Sequence, residues 1–340
     1  MKKDALLPAG KLPPEALEAI LSRLPAADAS VVVGPRLGED AAVIAMGERY
    51  LVVAADPITF AYDRIGWYSV HVNANDVAVL GARPRWFLAV VLLPEGAATT
   101  EMAEAITADI AKTCRGLGVS LCGGHTEVTV GLDRPIVVGQ MMGEVEQDRL
   151  IRKDSLATGD RVLLTRGAAI EGTALLAREQ WERLEPHLGA PLVSRSQRML
   201  FDPGISIVEA ARTAVEAGRV HAMHDPTEGG IATGLWELAR SGGTGLRAQA
   251  SRIPILPETA AICSVLGIDP LRLIASGALL IAAPPEEAPR IRRALEERGI
   301  PAADVGEILE PGGTIQMDVS GRLVPLEPAE RDEIAKVLEQ

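Results

Sequence analysis

Apolar residues recur along the chain in short runs of strand length and in longer runs of helical period, and the two kinds alternate. In the first half the pattern predicts strands at 30–33, 41–45, 50–55, 86–93, 119–122 and 136–145, and helices at 13–21, 64–80 and 100–117. In the second half it predicts strands at 161–165, 279–283, 303–309 and 314–319, and helices at 171–183, 205–217, 231–240, 286–298 and 329–338. This mixture indicates an α+β fold in both halves.

The length of 340 residues allows two domains of ordinary size. The segment 147–159 is polar and leads into a turn at Gly159, which is typical of a linker. We therefore expect one domain over 1–150 and a second over 151–340.

Charge and composition narrow the function classes. Lys plus Arg number 34 against 46 Asp plus Glu, and the resulting net charge of −12 repels nucleic acid and anionic lipid. Three cysteines, Cys114, Cys122 and Cys263, are too few and too scattered for a disulfide framework or a four-thiolate zinc site. The first residues lack the apolar stretch of a signal peptide, and no apolar run approaches the ~20 residues of a membrane span. We expect a cytoplasmic protein without nucleic-acid or membrane partners.

Three acidic residues stand at the ends of predicted elements or inside a predicted helix. Asp40 precedes a strand, Asp56 follows the next strand, and Asp76 lies on the same helical face as Val72 and beside Asn73. An unpaired carboxylate inside a helix would be costly, so Asp76 needs a cation, a hydrogen-bond donor or a metal. Sets of Asp and Asn oxygens are what Mg²⁺ takes, often together with substrate phosphates.

Plainer roles remain open for these residues. A solvated turn or a helix cap is the commoner role for any single Asp. Asp76 could equally be a buried carboxylate bonded to backbone or to Asn73. His125 could be a metal ligand, a base or a loop histidine with satisfied hydrogen bonds.

Two glycine-rich elements add to the case for a phosphate ligand. One element is 122–127, Cys-Gly-Gly-His-Thr-Glu, placed directly after a predicted strand; the other is 225–230, Asp-Pro-Thr-Glu-Gly-Gly, directly before a helix. Glycine lets backbone approach a ligand, and the amides of a helix start favour anions. The sequence contains neither the Walker loop G-x-x-x-x-G-K-S/T nor the dinucleotide motif G-x-G-x-x-G. A tight turn packed against a strand would explain 225–230 equally well.

In this order the motifs resemble the AIR synthetase-like superfamily of ATP-dependent enzymes, and most of all its hydrogenase maturation branch, HypE. The resemblance spans nearly the whole chain. It rests on Gly-Glu-Asp-Ala-Ala at 38–42, Ala-Asp at 55–56, Val-Asn-Ala-Asn-Asp at 72–76, Gly-Ala-Arg-Pro at 81–84, the two glycine-rich elements, Ala-Ser-Gly at 275–277 and the Gly-Lys-Leu lead-in at 10–12.

The resemblance implies a two-domain subunit whose N-terminal domain pairs with a partner's into a dimeric β-barrel, and whose C-terminal α/β domain covers ATP. It further implies Mg²⁺ ligands, catalytic residues and cofactor-binding residues in this chain. The implied metal ligands are Asp40, Asp56 and Asp76, with Glu127 as a substitute ligand; the catalytic residues are Asp76 and His125; the cofactor-binding residues are Lys11, Asn73, Gly123, Gly124, Thr126, Asp225, Gly229 and Gly230.

This sequence departs from the family pattern at residues that bear on metal binding and on the reaction catalysed. Glu39 stands where the family usually has Asp, and His125 stands where an acidic ligand is common, so the second metal shell is expected to differ. The hydrogenase maturation enzymes end in a reactive cysteine that accepts a carbamoyl group, whereas this sequence ends at Gln340 and has no cysteine after Cys263. We therefore expect no carbamoyl dehydration on this chain's own tail.

These observations predict a homodimeric enzyme that uses Mg²⁺ and ATP to transfer a phosphoryl group to an oxygen of its substrate, related to hydrogenase maturation. Two alternatives keep the same fold: a small-molecule kinase of the thiamine-monophosphate type, and a non-catalytic nucleotide-binding scaffold. The three carboxylates favour an enzyme.

Overall fold

The computed structural model describes residues 10–25, 27–59, 61 and 63–338. These residues form two compact units. The first unit contains 27–34 and 40–151, and the second contains 10–25, 35–39 and 152–338. The first helix of the chain, α1 (Pro14–Leu21), thus groups with the second unit. In the described part of the chain, no helix has both the length and the apolar character needed to cross a membrane.

The first unit is a six-stranded sheet with two helices. Its elements are β1 (Val31–Val33), β2 (Ala42–Met46), β3 (Arg49–Ile58), α2 (Ile65–Ala78), β4 (Arg83–Pro94), α3 (Thr100–Leu117), β5 (Ser120–Thr129) and β6 (Ile136–Glu146). The strand order is β1-β2-β3-β6-β4-β5, and every pair is antiparallel except β4 with β5.

Helix α2 packs against the sheet with nearly every residue buried, because α3 covers its other side. Gly66 makes this close approach possible, since a Cβ there would lie 2.9 Å from the Ile106 carbonyl oxygen. Asp109 of α3 accepts the Trp67 amide at 2.9 Å and pairs with Arg64 at 2.6 Å. A carboxylate from the neighbouring helix therefore satisfies and stabilises the start of α2.

The second unit is a seven-stranded sheet with helices. Besides α1 its elements are β7 (Arg161–Thr165), α4 (Ile170–Glu179), α5 (Trp181–Leu188), α6 (Ala190–Arg198), α7 (Val208–Ala217), β8 (Ala222–His224), α8 (Gly230–Ser241), β9 (Thr244–Gln249), α9 (Pro257–Leu266), β10 (Leu280–Ala283), α10 (Ala288–Glu297), β11 (Ala302–Pro311), β12 (Ile315–Val319), β13 (Arg322–Pro325) and α11 (Glu333–Leu338). The strand order is β13-β12-β9-β11-β7-β10-β8. The core lies between α8 and the sheet, with Val162, Leu235, Leu246 and Leu280 fully buried.

The predicted α+β class is confirmed, and several element boundaries are wrong. The helix predicted at 171–183 breaks at Gln180, whose φ of −114° ends α4 before α5 begins. Helix α6 was not predicted, although it has a proline in its first turn. The predicted terminal helix is shortened to α11, and the last two residues, Glu339 and Gln340, lie outside the described residues.

The largest correction concerns 122–127. These residues do not form a loop after a strand, because β5 runs through them from Ser120 to Thr129 and pairs with β4 over its whole length. Gly124 has a φ of +153°, and a Cβ there would lie 1.9 Å from the Ala89 carbonyl oxygen. Glycine is required here for packing strand on strand.

Candidate functional site

Asn73 of α2 fixes the backbone of β3 beside the acidic residues. Its side-chain oxygen accepts the Asp56 amide at 2.8 Å, and its side-chain nitrogen donates to the Asp56 carbonyl at 3.2 Å and to the Ser69 carbonyl at 2.9 Å. Gly139 of β6 leaves room for this side chain, since a Cβ there would lie 2.4 Å from the Asn73 amide nitrogen. Asn73, predicted as a cofactor-binding residue, thus uses its amide to hold Asp56 in place.

The three predicted metal ligands lie on β3, just before β2 and on α2. Asp56 pairs with Gly139 in the sheet. Asp40 lies two residues before β2, and continuing the register in which Ala42 faces Val53 brings it level with Ala55. Asp76 follows Asn73 by three residues, which puts it one helical turn on along the same face.

Burial distinguishes these carboxylates from solvated surface acids. Asp76 is only 5% exposed, and Asp40 and Asp56 are partly buried. Carboxylate oxygens are among the donors that Mg²⁺ accepts, so the donor chemistry of these three residues suits a magnesium ion.

His125 and Glu127 lie on β5 two residues apart, on one exposed face of the strand. The His125 Nε2 is 3.1 Å from a Glu127 carboxylate oxygen, and both side chains are exposed. Leu121 and Val128 on β5 and the adjacent Val130 are also exposed, which is unusual for large apolar residues on an edge strand.

In the second unit the loop 225–230, which we call the glycine loop, precedes α8 as predicted. Gly229 and Gly230 have φ values of +80° and +65°, and a Cβ on Gly230 would lie 2.6 Å from the Leu271 carbonyl oxygen. The Gly229 amide donates to Asp332 at 2.6 Å, and the Gly230 amide donates to the Thr227 carbonyl at 3.0 Å. Because both amides are bonded within the protein, these glycines shape the loop by close packing, and direct contact of their N–H groups with a phosphate does not fit this geometry.

Lys11 lies against the same loop. Its Nζ is 3.1 Å from the Thr227 hydroxyl, 3.7 Å from Glu228 and 3.6 Å from Glu237. The lysine thus places a positive charge beside the glycine loop, among two carboxylates.

A buried polar chain next to Lys11 was missed by the sequence reasoning. Lys153, fully buried in the segment expected to be a linker, hydrogen-bonds to the Gly38 carbonyl and lies 3.0 Å from His224 Nδ1. His224 Nε2 lies 2.8 Å from Glu237. Since an ammonium group can only donate, these partners place the His224 proton on Nε2. No spacing in the sequence joins residues so far apart.

Two buried carboxyl groups near the glycine loop were also missed. Burial raises the pKa of Glu171 to about 7, and the negative charges of Glu228 and Asp332 add to the rise. Hydrogen bonding with Ser276 acts in the opposite direction. Burial likewise raises the pKa of Asp332 to about 6, although three backbone amides bonded to it act in the opposite direction. A single carboxylate within the small and apolar residues 167–177 was the one available signal for Glu171.

The cysteines differ in exposure. Burial raises the pKa of Cys114 and of Cys263 to about 12, whereas Cys122 is exposed on β5. Because the thiolate is the reactive form, the two buried thiols are unreactive near neutral pH.

Comparison with known proteins agrees with this architecture. Residues 38–145 match the family model for the N-terminal domain of AIR synthase related protein, and residues 157–318 match the model for its C-terminal domain. Carbamoyl dehydratase HypE of Cupriavidus necator is 31% identical over 290 residues, which cover 82% of this chain and 78% of that protein.

Solved structures show the same fold. The crystal structure of Escherichia coli HypE, a hydrogenase maturation protein, has a TM-score of 0.72 at 25% identity and covers 83% of this chain and 87% of its own. A structure of HypE in complex with ATP has a TM-score of 0.70 at 25% identity and covers 94% of this chain and 91% of its own.

The chain belongs to the AIR synthase related family, both of whose domains it contains in order. Its similarity to HypE proteins in both sequence and structure confirms the predicted resemblance to the hydrogenase maturation branch.

Proposed function

We propose that this protein is a cytoplasmic Mg²⁺- and ATP-dependent enzyme that activates an oxygen of its substrate by phosphoryl transfer, in a role related to hydrogenase maturation. The observation that carries the proposal is the acidic set of the first unit. Asn73 fixes the backbone of Asp56, and buried Asp76 lies one helical turn after Asn73 on α2. The relatives support it, because they are named carbamoyl dehydratase and one HypE was crystallised with ATP.

In this proposal Asp40, Asp56 and Asp76 hold the magnesium of Mg-ATP. A bound magnesium ion would neutralise charge on the phosphates, and the remaining task of the protein is to position the reactants. Asp76 lies on α2, in which nearly every residue is buried, so packing restrains the position of its carboxylate. Gly123, Gly124 and Thr126 of β5 remain proposed cofactor contacts, with His125 and Glu127 as a pair able to hold or accept a proton.

In the second unit we assign Lys11, Thr227 and Asp225 to recognition of a phosphate or of the substrate. The Lys11 ammonium supplies the positive charge, and its contact with the Thr227 hydroxyl orients that group. Gly229 and Gly230 give the loop its conformation.

The test is to measure ATP consumption with Mg²⁺ across candidate acceptors and to examine the intact chain by mass spectrometry. We expect ATP to be consumed with an amide or carbamoyl acceptor and no carbamoyl or cyano adduct on Cys114, Cys122 or Cys263. Cys114 and Cys263 are buried with raised pKa values, and Cys122 is held within regular strand β5. Turnover with a small phosphate acceptor alone would instead indicate a kinase of the thiamine-monophosphate type. Binding of ATP without consumption would indicate a scaffold.

We also propose that the protein is a homodimer built through the first unit. Among the described residues β5 is an outer strand that pairs with β4 alone, and Leu121, Val128 and Val130 are exposed at it; proteins usually cover such edges. Light scattering at micromolar concentration should give twice the mass of the 35.9 kDa chain. Val128→Lys should shift the protein to monomer, while Val319→Lys, an equally simple change at an exposed position of the second unit, should leave the mass doubled. A monomeric wild type would contradict the proposal.

A further inference from the structure

Asp332 joins three separate segments of the second unit. Its Oδ2 accepts the Gly229 amide at 2.6 Å, and its Oδ1 accepts the Ile334 amide at 2.8 Å and the Ile274 amide at 3.3 Å. The side chain is buried. One carboxylate therefore fixes the glycine loop, the segment 271–276 and the start of α11 against one another.

Neighbouring contacts reinforce the same junction. The Ala275 amide donates to the Thr227 carbonyl at 3.2 Å, and the Ala232 amide donates to the Leu271 carbonyl at 2.9 Å. The Ala329 amide donates to the Thr233 hydroxyl of α8 at 3.0 Å. The segment 329–332 is thus bonded to α8 through the Ala329 amide and to the glycine loop through the Asp332 carboxylate.

The Asp332 carboxylate also caps α8 from outside. Helix α8 begins at Gly230 after a left-handed Gly229, and no side chain within its own N-terminal residues accepts a hydrogen bond there. A carboxylate at a helix N-terminus is electrostatically favoured because it faces the positive end of the helix dipole. Asp332 supplies this carboxylate across 103 positions of sequence.

We propose that Asp332 is a positioning residue that holds the glycine loop, and with it Thr227 and Asp225, in the conformation used for phosphoryl transfer. This inference rests on the proposed function, since it concerns the same loop. In this proposal Asp332 makes no contact with either reactant. It acts through the Gly229 amide.

The two Asp332 oxygens accept different amides, so one substitution can break the bond to the glycine loop and keep the bonds to Ile274 and Ile334. In Asp332→Asn one oxygen can still accept the Ile334 and Ile274 amides, but the new NH₂ group then faces the Gly229 N–H, and two donors cannot bond. The opposite orientation of the new side-chain amide is less favourable, because its NH₂ group would then face two N–H donors, those of Ile334 and Ile274, instead of one. The substitution therefore releases the loop while it keeps the start of α11.

The first measurement is hydrogen exchange on the full-length protein. We expect amides in a peptide covering 227–231 to exchange about 10-fold faster in Asp332→Asn than in wild type, in line with the loss of one net hydrogen bond. Lys336→Ala is the matched control, because it removes the 2.6 Å ion pair with Glu333 in the same helix without touching the loop. Its loop exchange should match wild type.

The second measurement is steady-state ATP hydrolysis with Mg²⁺. We expect kcat/KM for ATP to fall at least about 10-fold in Asp332→Asn, while the thermal midpoint stays within about 3 °C of wild type or rises, because a buried charge is removed. Asp332→Glu, which keeps two acceptor oxygens, should recover part of the activity. A purely structural role would lower activity and thermal midpoint together.

The outcomes separate the two proposals. Absence of ATP hydrolysis in wild type refutes the proposed function, while hydrogen exchange still tests the anchor. Unchanged exchange at 227–231, or faster exchange with unchanged kcat/KM, overturns the positioning role. If Asp332→Asn does not fold, Asp332→Glu is measured in its place, and wild-type exchange and kinetics in it would overturn the role equally.

Discussion

Asp56→Asn and Asp76→Asn are each expected to weaken Mg-ATP binding by about 100-fold, because removing one member of a desolvated charge cluster costs roughly 2–5 kcal/mol. Each substitution keeps the shape of the side chain and removes one negative charge from the proposed magnesium site. Isothermal calorimetry with and without Mg²⁺ measures the effect, and the magnesium dependence should shrink in both variants.

Asp133→Asn is the matched control for these two variants. It makes the same chemical change in the same unit, but Asp133 is an exposed residue paired with its neighbour Arg134, with 81% of its side chain accessible. Its affinity for Mg-ATP should equal that of wild type. Undiminished affinity in both Asp56→Asn and Asp76→Asn would remove the basis of the proposed metal site.

The local parts of this picture were readable from the sequence. Helix α2 and its carboxylate Asp76 follow from periodicity, because this signal depends on residues within a few positions of each other, although the helix ends at Ala78, two residues earlier than predicted. The placement of Asp56 near a strand end was also close, although β3 continues to Ile58.

The β5 error has a specific physical cause. Consecutive glycines usually mark a turn, and the exposed side chains of β5 show no alternation of apolar and polar positions. What makes Gly123 and Gly124 part of a strand is the pairing with β4, in which Ala89 of a distant segment leaves no room for a Cβ on Gly124. Tertiary contact overrode the local signal here.

The missed residues share a different cause. Lys153, His224, Glu237 and Asp332 acquire their roles only through partners far along the chain. A lone Lys in a polar segment or a lone Asp before a short helix looks like a surface residue in sequence. Burial, which turns each of them into a group that must be paired, is decided by the packing of the whole second unit.

Burial of Glu171 leads to a second large expected effect, on stability. The folded-state pKa is raised from 4.5 to about 7, so the folded protein binds a proton between these values that the unfolded chain has already released. The neutral Glu171 carboxyl group therefore stabilises the folded protein relative to the ionised one. This contribution to the free energy of unfolding is fully present below pH 4.5 and is lost as the pH rises through about 7. At pH 8 the folded protein must keep a buried carboxylate charged, near Glu228 and Asp332.

Glu171→Gln should relieve this cost. At 1.36 kcal/mol per pKa unit, the variant is expected to be more stable than wild type by about 3 kcal/mol at pH 8 and by only about 1 kcal/mol at pH 5. Urea unfolding of both proteins at the two pH values gives the gain in free energy of unfolding at each pH. Groups that titrate alike in wild type and variant cancel when the two proteins are compared. Glu179→Gln changes an exposed carboxylate of the same helix α4 and should show neither gain. An equal effect of Glu171→Gln at pH 5 and pH 8 would mean that Glu171 does not change its protonation on folding, and that the buried carboxyl group finds enough compensation in the folded protein to ionise like a solvated one.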